Sequence, residues 1–244
     1  EKIQNKINSI KESQSIMINE YITKGINFEN KINNWKTIRL KYILEHTKGY
    51  AFKSELFENE GIPVIKASDI KSRTIQEPKE FINNNKASDF ESVILRENDI
   101  LISTVGSHIH IKESAVGQLA IIPKKLDGSL LNQNIVCLRL NSKIINVKFL
   151  FYILNSNLFR THLDKHAHGT ANQASLDLED ILSFKIHYPT TTDQKKITKH
   201  LNDKLEITSQ LMELEKKRKL KILEYRKNLI SNIVTGKEKI SKDQ

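Results

Sequence analysis

Near the amino end, Ile3, Ile7, Ile10, Gln14, Met17 and Tyr21 fall alternately four and three residues apart. That is the spacing of a seam between two helices, and the positions between are mostly polar. A stripe this narrow cannot be buried by the helix that carries it, so a partner helix is required. The spacing predicts a helix over residues 1–25, stopped by Gly25. Near the other end, Leu201, Thr208, Glu215, Ile222 and Leu229 recur at heptad spacing, as do Ile197, Lys204, Leu211, Arg218 and Tyr225. These rows predict a second helix over 194–234, with Asp193 as its N-cap. At about 1.5 Å per residue it would span about 60 Å, far more than a small domain needs. Lys204, Glu215 and Arg218 interrupt the apolar rows. They either fix register against one partner or sit at a wet edge, and the wet edge is the simpler reading.

The two helix ends resemble each other. An ungapped offset aligns residues 18–25 with 230–237, pairing Ile18 with Ile230 and Thr23 with Thr235. Upstream it pairs Ile10 with Ile222 and Glu12 with Glu224. One account is two unrelated helix ends with similar stop signals. The other is a duplicated protein with the order helix, domain, helix, domain, helix. On that account the chain is the second half plus the helix before it, and its two helices pack antiparallel as a coiled coil. The first residue is Glu1 and the chain begins directly as helix, so we expect a longer protein on the amino side.

Between the helices the texture changes. Residues 28–34 read as a polar linker, and Trp35 opens a stretch of short β-rich runs separated by turn residues. Strands are predicted at 61–65, 100–105, 118–122, 134–140 and 184–188. A helix is predicted over 147–158, with Leu150, Phe151 and Leu154 on its apolar face, and a helical turn over 176–182. The fold class is therefore α+β: a β-rich domain over 34–190, flanked by helical segments 1–33 and 191–244.

The chain has 39 Lys and Arg against 29 Asp and Glu, a formal charge of +10. Such an excess favours a polyanionic partner, although a Lys-rich surface that is merely solvated gives the same figure. Cys137 is the lone cysteine, which excludes a disulfide within the chain and a cysteine-based zinc site, and suits a reducing, cytoplasmic compartment. No apolar run is long enough to span a bilayer, and no secretory signal is recognisable.

Several motifs in order resemble one family, the specificity subunits of type I restriction-modification systems. Residues 61–70, Gly-Ile-Pro-Val-Ile-Lys-Ala-Ser-Asp-Ile, are similar to a strand and turn of that family. Residues 99–106 are similar to its "GDIL" strand, with Asn98 where Gly is usual. Asn132-Gln133-Asn134, the run 150–154 and the stretch 169–173 with Leu176 and Ile181 also fit. So does the helix entry at Pro189, Gln194, Ile197 and Leu201, where Thr190 and Asp193 replace the usual Pro and Glu. The resemblance covers essentially the whole chain. It implies a subunit with two target-recognition domains, each reading half of a split DNA site. The helices would set the gap between half-sites and dock methyltransferase subunits, through which the restriction subunit is recruited. The subunit itself would catalyse nothing and hold no cofactor or metal. A natural half subunit would act as a homodimer.

Reading double-stranded DNA needs cationic side chains for phosphates and short polar ones for base edges. The first candidate loop follows the strand at 100–105 and carries Ser103, Thr104, Ser107, His108, His110 and Lys112. The second follows the strand at 61–65 and carries Lys66, Ser68, Asp69, Lys71 and Arg73. A third, 162–173, carries Lys165. Base contacts are expected in the first two, through the major groove. The helix interface is expected at Ile3, Ile7, Ile10, Met17 and Tyr21, and at Leu201, Leu211, Ile222, Tyr225 and Leu229.

Other chemistry is weaker. His162, His166 and His168, with Asp164, imitate a metal set without completing it. Asp69 with Glu77-Pro78-Lys79 imitates the acidic pair and lysine of a Mg²⁺-dependent nuclease, but Pro78 suits its strand poorly. No GxxxxGK[ST] loop is present. A coiled-coil adaptor whose domain binds protein remains the main alternative.

Overall fold

A computed structural model describes residues 2–26, 35–106, 116–170 and 173–236, with the side chains of 168–174 left aside. The chain divides into two compact units, Glu1–Met17 with Lys199–Gln244, and Ile18–Thr198. Two long helices run through the boundaries, α1 (Lys2–Lys24) and α5 (Thr191–Val234).

In the helical unit the two helices run antiparallel. Lys6 is ion-paired with Glu215, Gln14 Nε2 donates to Thr208 Oγ1 at 2.8 Å, and Lys219 Nζ donates to Gln4 Oε1 at 2.7 Å. Rising numbers on one helix thus meet falling numbers on the other. On α1 the predicted stripe points inward: Ile7, Ile10 and Gln14 are buried and Ile3 and Met17 half-buried, while Tyr21 is buried within the globular unit. On α5 the inward row is Leu201, Leu205, Thr208, Met212, Glu215 and Lys219. Leu205, Met212 and Lys219 stand one residue along from the expected Lys204, Leu211 and Arg218, which are exposed. Adjacent rows share the same heptad period, and only the partner decides which one faces in.

The wet-edge reading holds for the exposed Lys204 and Arg218 and is overturned for Glu215. Glu215 is 3% exposed, ion-paired to Lys6, and its Oε2 has no hydrogen bond among the described residues. A buried charge at a seam position fixes register while costing stability. Glu215→Leu is therefore expected to leave stability unchanged or raise it by about 1 kcal/mol in chemical denaturation. A loss of that size would instead make the ion pair a net stabiliser.

Both helices end alike. Gly25 has φ +73° with its N–H on the Tyr21 carbonyl at 3.1 Å, and Gly236 has φ +71° with its N–H on the Ile233 carbonyl at 3.1 Å. Left-handed glycine is the usual way to stop a helix. The amino end of α5 differs from expectation. Thr190 is the cap, its Oγ1 accepting from the Asp193 N–H at 3.3 Å and donating to Asp193 Oδ2 at 2.8 Å. Asp193 sits inside the first turn, where a carboxylate suits the helix dipole.

The globular unit contains β1 (Lys36–Arg39), β2 (Leu44–Lys48), β3 (Phe57–Glu58), β4 (Ile62–Ile65), β5 (Ile70–Lys71), β6 (Thr74–Ile75) and β7 (Phe81–Ile82). Then come β8 (Ile100–Ser103), β9 (Val105–Gly106), β10 (Leu119–Ile121), β11 (Leu130–Leu131) and β12 (Ile135–Leu140). Helices α2 (Val147–Leu154) and α3 (Asn157–His166) precede the hairpin β13 (His168–Thr170) and β14 (Gln173–Ser175). Helix α4 (Leu178–Ser183) and β15 (Lys185–Tyr188) complete the unit, and β15 pairs antiparallel with β1.

Two four-stranded sheets dominate, one ordered β10-β8-β12-β2 and the other β11-β4-β7-β3. Leu101, Ile135 and Cys137 of the first pack with Val64, Ile65, Ile82, Leu130 and Leu131 of the second in one core. All of β8 and the first four residues of β12 are buried, so these strands read as continuous apolar runs rather than alternating ones.

The helix expected over 147–158 is two helices. Asn155 Nδ2 donates to the Phe151 carbonyl at 2.7 Å and ends α2, and Ser156 Oγ accepts from the Phe159 N–H at 3.3 Å to start α3. The polar loop expected at 162–173 is instead the end of α3 followed by a hairpin. Helix α3 buries only Phe159 and Leu163, too few apolar residues to stand out among polar ones.

Candidate nucleic-acid interface

The ends of both sheets meet at the turn Asn132-Gln133-Asn134. Strand β12 leaves this turn, with Ile135 opposite Ser103 at the end of β8 and Val136 opposite Lys48 at the end of β2. Strand β11 enters it parallel to β4, with Leu131 beside Ile65. The chain after β2, β4 and β8 is therefore delivered to one corner.

Backbone hydrogen bonds tie that corner together. Asn132 N–H donates to the Ile65 carbonyl at 3.0 Å, Gln133 N–H to Tyr50 at 2.9 Å, and Tyr50 N–H to Leu131 at 2.9 Å. The Asn134 carbonyl accepts from Thr104 N–H at 2.9 Å and Thr104 Oγ1 at 3.2 Å. Strand β9, next in the chain, pairs with β14. The two candidate loops, after β4 and after β8, are thus brought to the same turn. Sequence reasoning placed no site residue on the turn itself.

The candidates differ in what they offer. After β4, the Asp69 carboxylate accepts from Lys66 N–H at 2.8 Å, and Gln76 N–H reaches the Asp69 carbonyl at 2.8 Å. Asp69 is thereby a capping group of its own turn. Lys66 Nζ pairs with Glu80 and lies 4.6 Å from the Phe57 ring centre, so a phosphate would have to draw it from both. Ser68 and Lys71 are exposed. Ser72 and Arg73 form the two-residue turn between β5 and β6, with φ +52° and +68°. Arg73 is half-buried; burial holds its guanidinium below the usual value, and the nearby Tyr152 opposes this.

After β8, Ser103 is buried with Oγ on the Val105 carbonyl at 3.4 Å, so it shapes the strand end and presents no free surface. Thr104 is half-buried. Ser107, His108, His110 and Lys112 lie outside the described residues. The far end of that loop is held at Val116, which is buried and whose carbonyl accepts from Arg160 Nη1 at 3.0 Å. Lys165 is exposed in the last turn of α3.

His162 and His166 are used in packing, and the His168 side chain lies outside the described ones. His162 Nε2 contacts the Asp180 carbonyl at 2.7 Å, and His166 Nδ1 contacts the His162 carbonyl at 2.7 Å. Among the described residues no group of three or more His, Cys, Asp or Glu is placed to hold a metal. Glu77 is exposed on the irregular stretch after β6, whereas the Asp69 carboxylate is engaged by the backbone. Burial, with Asp99 nearby, pushes the Cys137 thiol far up, so it stays protonated in the core. No described helix is long and apolar enough to cross a membrane.

A family model described as the type I restriction modification DNA specificity domain matches residues 32–223. The chain belongs to that family. It is 23% identical to the type I restriction enzyme MjaVIII specificity subunit of Methanocaldococcus jannaschii, over 98% of this chain and 56% of that protein. It is 30% identical to the EcoAI specificity subunit of Escherichia coli, over 59% of this chain and 24% of that protein. The chain therefore spans little more than half the length of the first of these relatives, and less of the second. The HsdS subunit of Thermoanaerobacter tengcongensis shares the fold, with a TM-score of 0.58 at 16% identity, over 88% of this chain and 47% of that one. A type I system S subunit from M. genitalium matches with a TM-score of 0.55 at 14% identity, over 93% and 55%.

In this family member, two positions that looked like motif residues acquire physical roles. Asn98, where Gly is usual, has φ +71°, a conformation that Gly adopts freely and Asn best among the rest. Asp99, the acid of the same motif, is buried and grips Arg139, Oδ1 to Nε at 2.8 Å and Oδ2 to Nη2 at 2.6 Å.

Proposed function

We propose that the globular unit reads one half of a split DNA target, and that the chain serves as the specificity component of a type I restriction-modification enzyme. The observation that carries this reading is the convergence of the chain after β2, β4 and β8 on one corner, in a member of a DNA specificity family with a net charge of +10. Loops held at strand ends can enter a groove while the sheets behind them stay rigid. The chain contributes recognition and no chemistry of its own; methylation and cleavage belong to partner subunits.

The helical pair is the docking element for a methyltransferase subunit. Along the stretch of α5 that faces α1, Ile207, Leu211 and Leu214 remain exposed at four- and three-residue spacing. Apolar side chains repeated along one helix suit a helical protein partner. This also supports part of the adaptor alternative, with DNA binding separating the two.

Duplex binding at graded salt tests the reading. The protein, assembled with its methyltransferase subunit, is expected to bind duplex DNA with an affinity that falls log-linearly with salt. It should select one sequence from a randomised library. Binding with no sequence preference, or none at all, would leave only the adaptor. Mg²⁺-dependent cutting by the chain alone would point to a nuclease instead.

A further inference from the structure

We propose that Tyr50, Gln133 and Asn134, at the junction of the two sheets, contact base edges and determine part of the recognised sequence. This rests on the reading of the globular unit as a DNA reader and names residues within it.

Gln133 and Asn134 are exposed, and among the described residues neither amide makes a side-chain hydrogen bond. Amides of this kind form paired hydrogen bonds with adenine in the major groove. A base reader must also be held still, since a side chain on a loose loop loses on ordering what it gains in contact. Here the turn is bound on three sides, through Ile65, Tyr50 and Thr104. Asn134 adopts φ +67°, which directs the chain sharply into β12.

Tyr50 stands against the same turn. It is 48% exposed, yet its ring is held by Phe52 and Phe90, with centroids at 5.0 Å and 5.3 Å. A ring packed on one flank and open on the other offers a rigid contact for a base or sugar at low entropic cost. Two residues earlier, exposed Lys48 ends β2 at the same corner and suits a phosphate. The turn itself carries no acidic residue to repel DNA.

The test uses the protein assembled with its methyltransferase subunit and a randomised duplex library. Three variants are compared with the parent: Gln133→Ala, Asn134→Gly and Tyr50→Ala, the last removing the ring. Glycine at 134 removes the amide while tolerating the positive φ. Gln133→Ala truncates an exposed side chain and is the decisive variant. It is expected to relax preference at one base position by roughly tenfold, while the slope of affinity against salt stays that of the parent. An unchanged preference at every position in all three variants would make this turn scaffold only, with DNA reading by the parent intact. A parent that selects no sequence would remove the DNA-reader assignment and this one together.

Discussion

Gly49→Ala is expected to destabilise the globular unit by about 3 kcal/mol, because the added methyl has nowhere to go. A Cβ built on Gly49 would lie 1.8 Å from the Asn132 carbonyl oxygen and 2.4 Å from its carbon. Both are backbone atoms, so no rotamer change relieves the clash. The neighbouring hydrogen bonds, Gly49 N–H to Ile135 at 3.0 Å and Tyr50 N–H to Leu131 at 2.9 Å, hold the two segments in that contact. Separating them breaks the join between β2 and the turn. For a unit of this size the loss corresponds to a fall of roughly 6–12 °C in Tm, read by calorimetry. Gly128→Ala is the control. Gly128 has φ +85° but open space around it, so only the backbone strain of about 1 kcal/mol applies. If the two variants melted together, close approach at Gly49 would not be what constrains that position.

Arg139→Ala is expected to cost about 3–5 kcal/mol, since it strands a buried carboxylate. Asp99 is 2% exposed and accepts from Arg96 N–H at 2.7 Å as well as from both Arg139 nitrogens. Arg139 Nη2 also reaches the Ile94 carbonyl at 3.2 Å. Asp99 holds the Arg139 guanidinium above its ordinary value, although partial burial works against that. Among the described residues, Arg139 is the only cation ion-paired with this carboxylate. Replacing both partners, Asp99→Leu with Arg139→Met, is expected to recover much of the loss, because an apolar pair leaves no charge unpaired. Denaturant midpoints of the two single variants and the double variant check this. A double variant as unstable as the sum of the single ones would mean that the residues act independently.

How far the fold was legible depends on the kind of signal. The α1 stripe was readable because Ile3, Ile7 and Ile10 repeat at a period only a helix seam satisfies. Strands β4, β8, β10, β12 and β15 were readable as apolar runs between turn residues. Strand β2 was not, because its five residues include Glu45, His46, Thr47 and Lys48, and it is a strand only through pairing with β12. Of the candidate interface, the loops after β4 and β8 were visible as polar stretches following strands. Ser103 looked like a contact and is buried, since an exposed and a buried serine look the same in a sequence.

The sequence by itself determined the periodic elements, the family motifs and the places where the backbone must turn, because these depend on residues near one another in the chain. Tertiary structure alone decided which row of α5 meets α1, that Glu215 is buried, and that the segments following β2, β4 and β8 all arrive at one turn. Those outcomes depend on which surfaces exclude water together, and no local pattern carries that information.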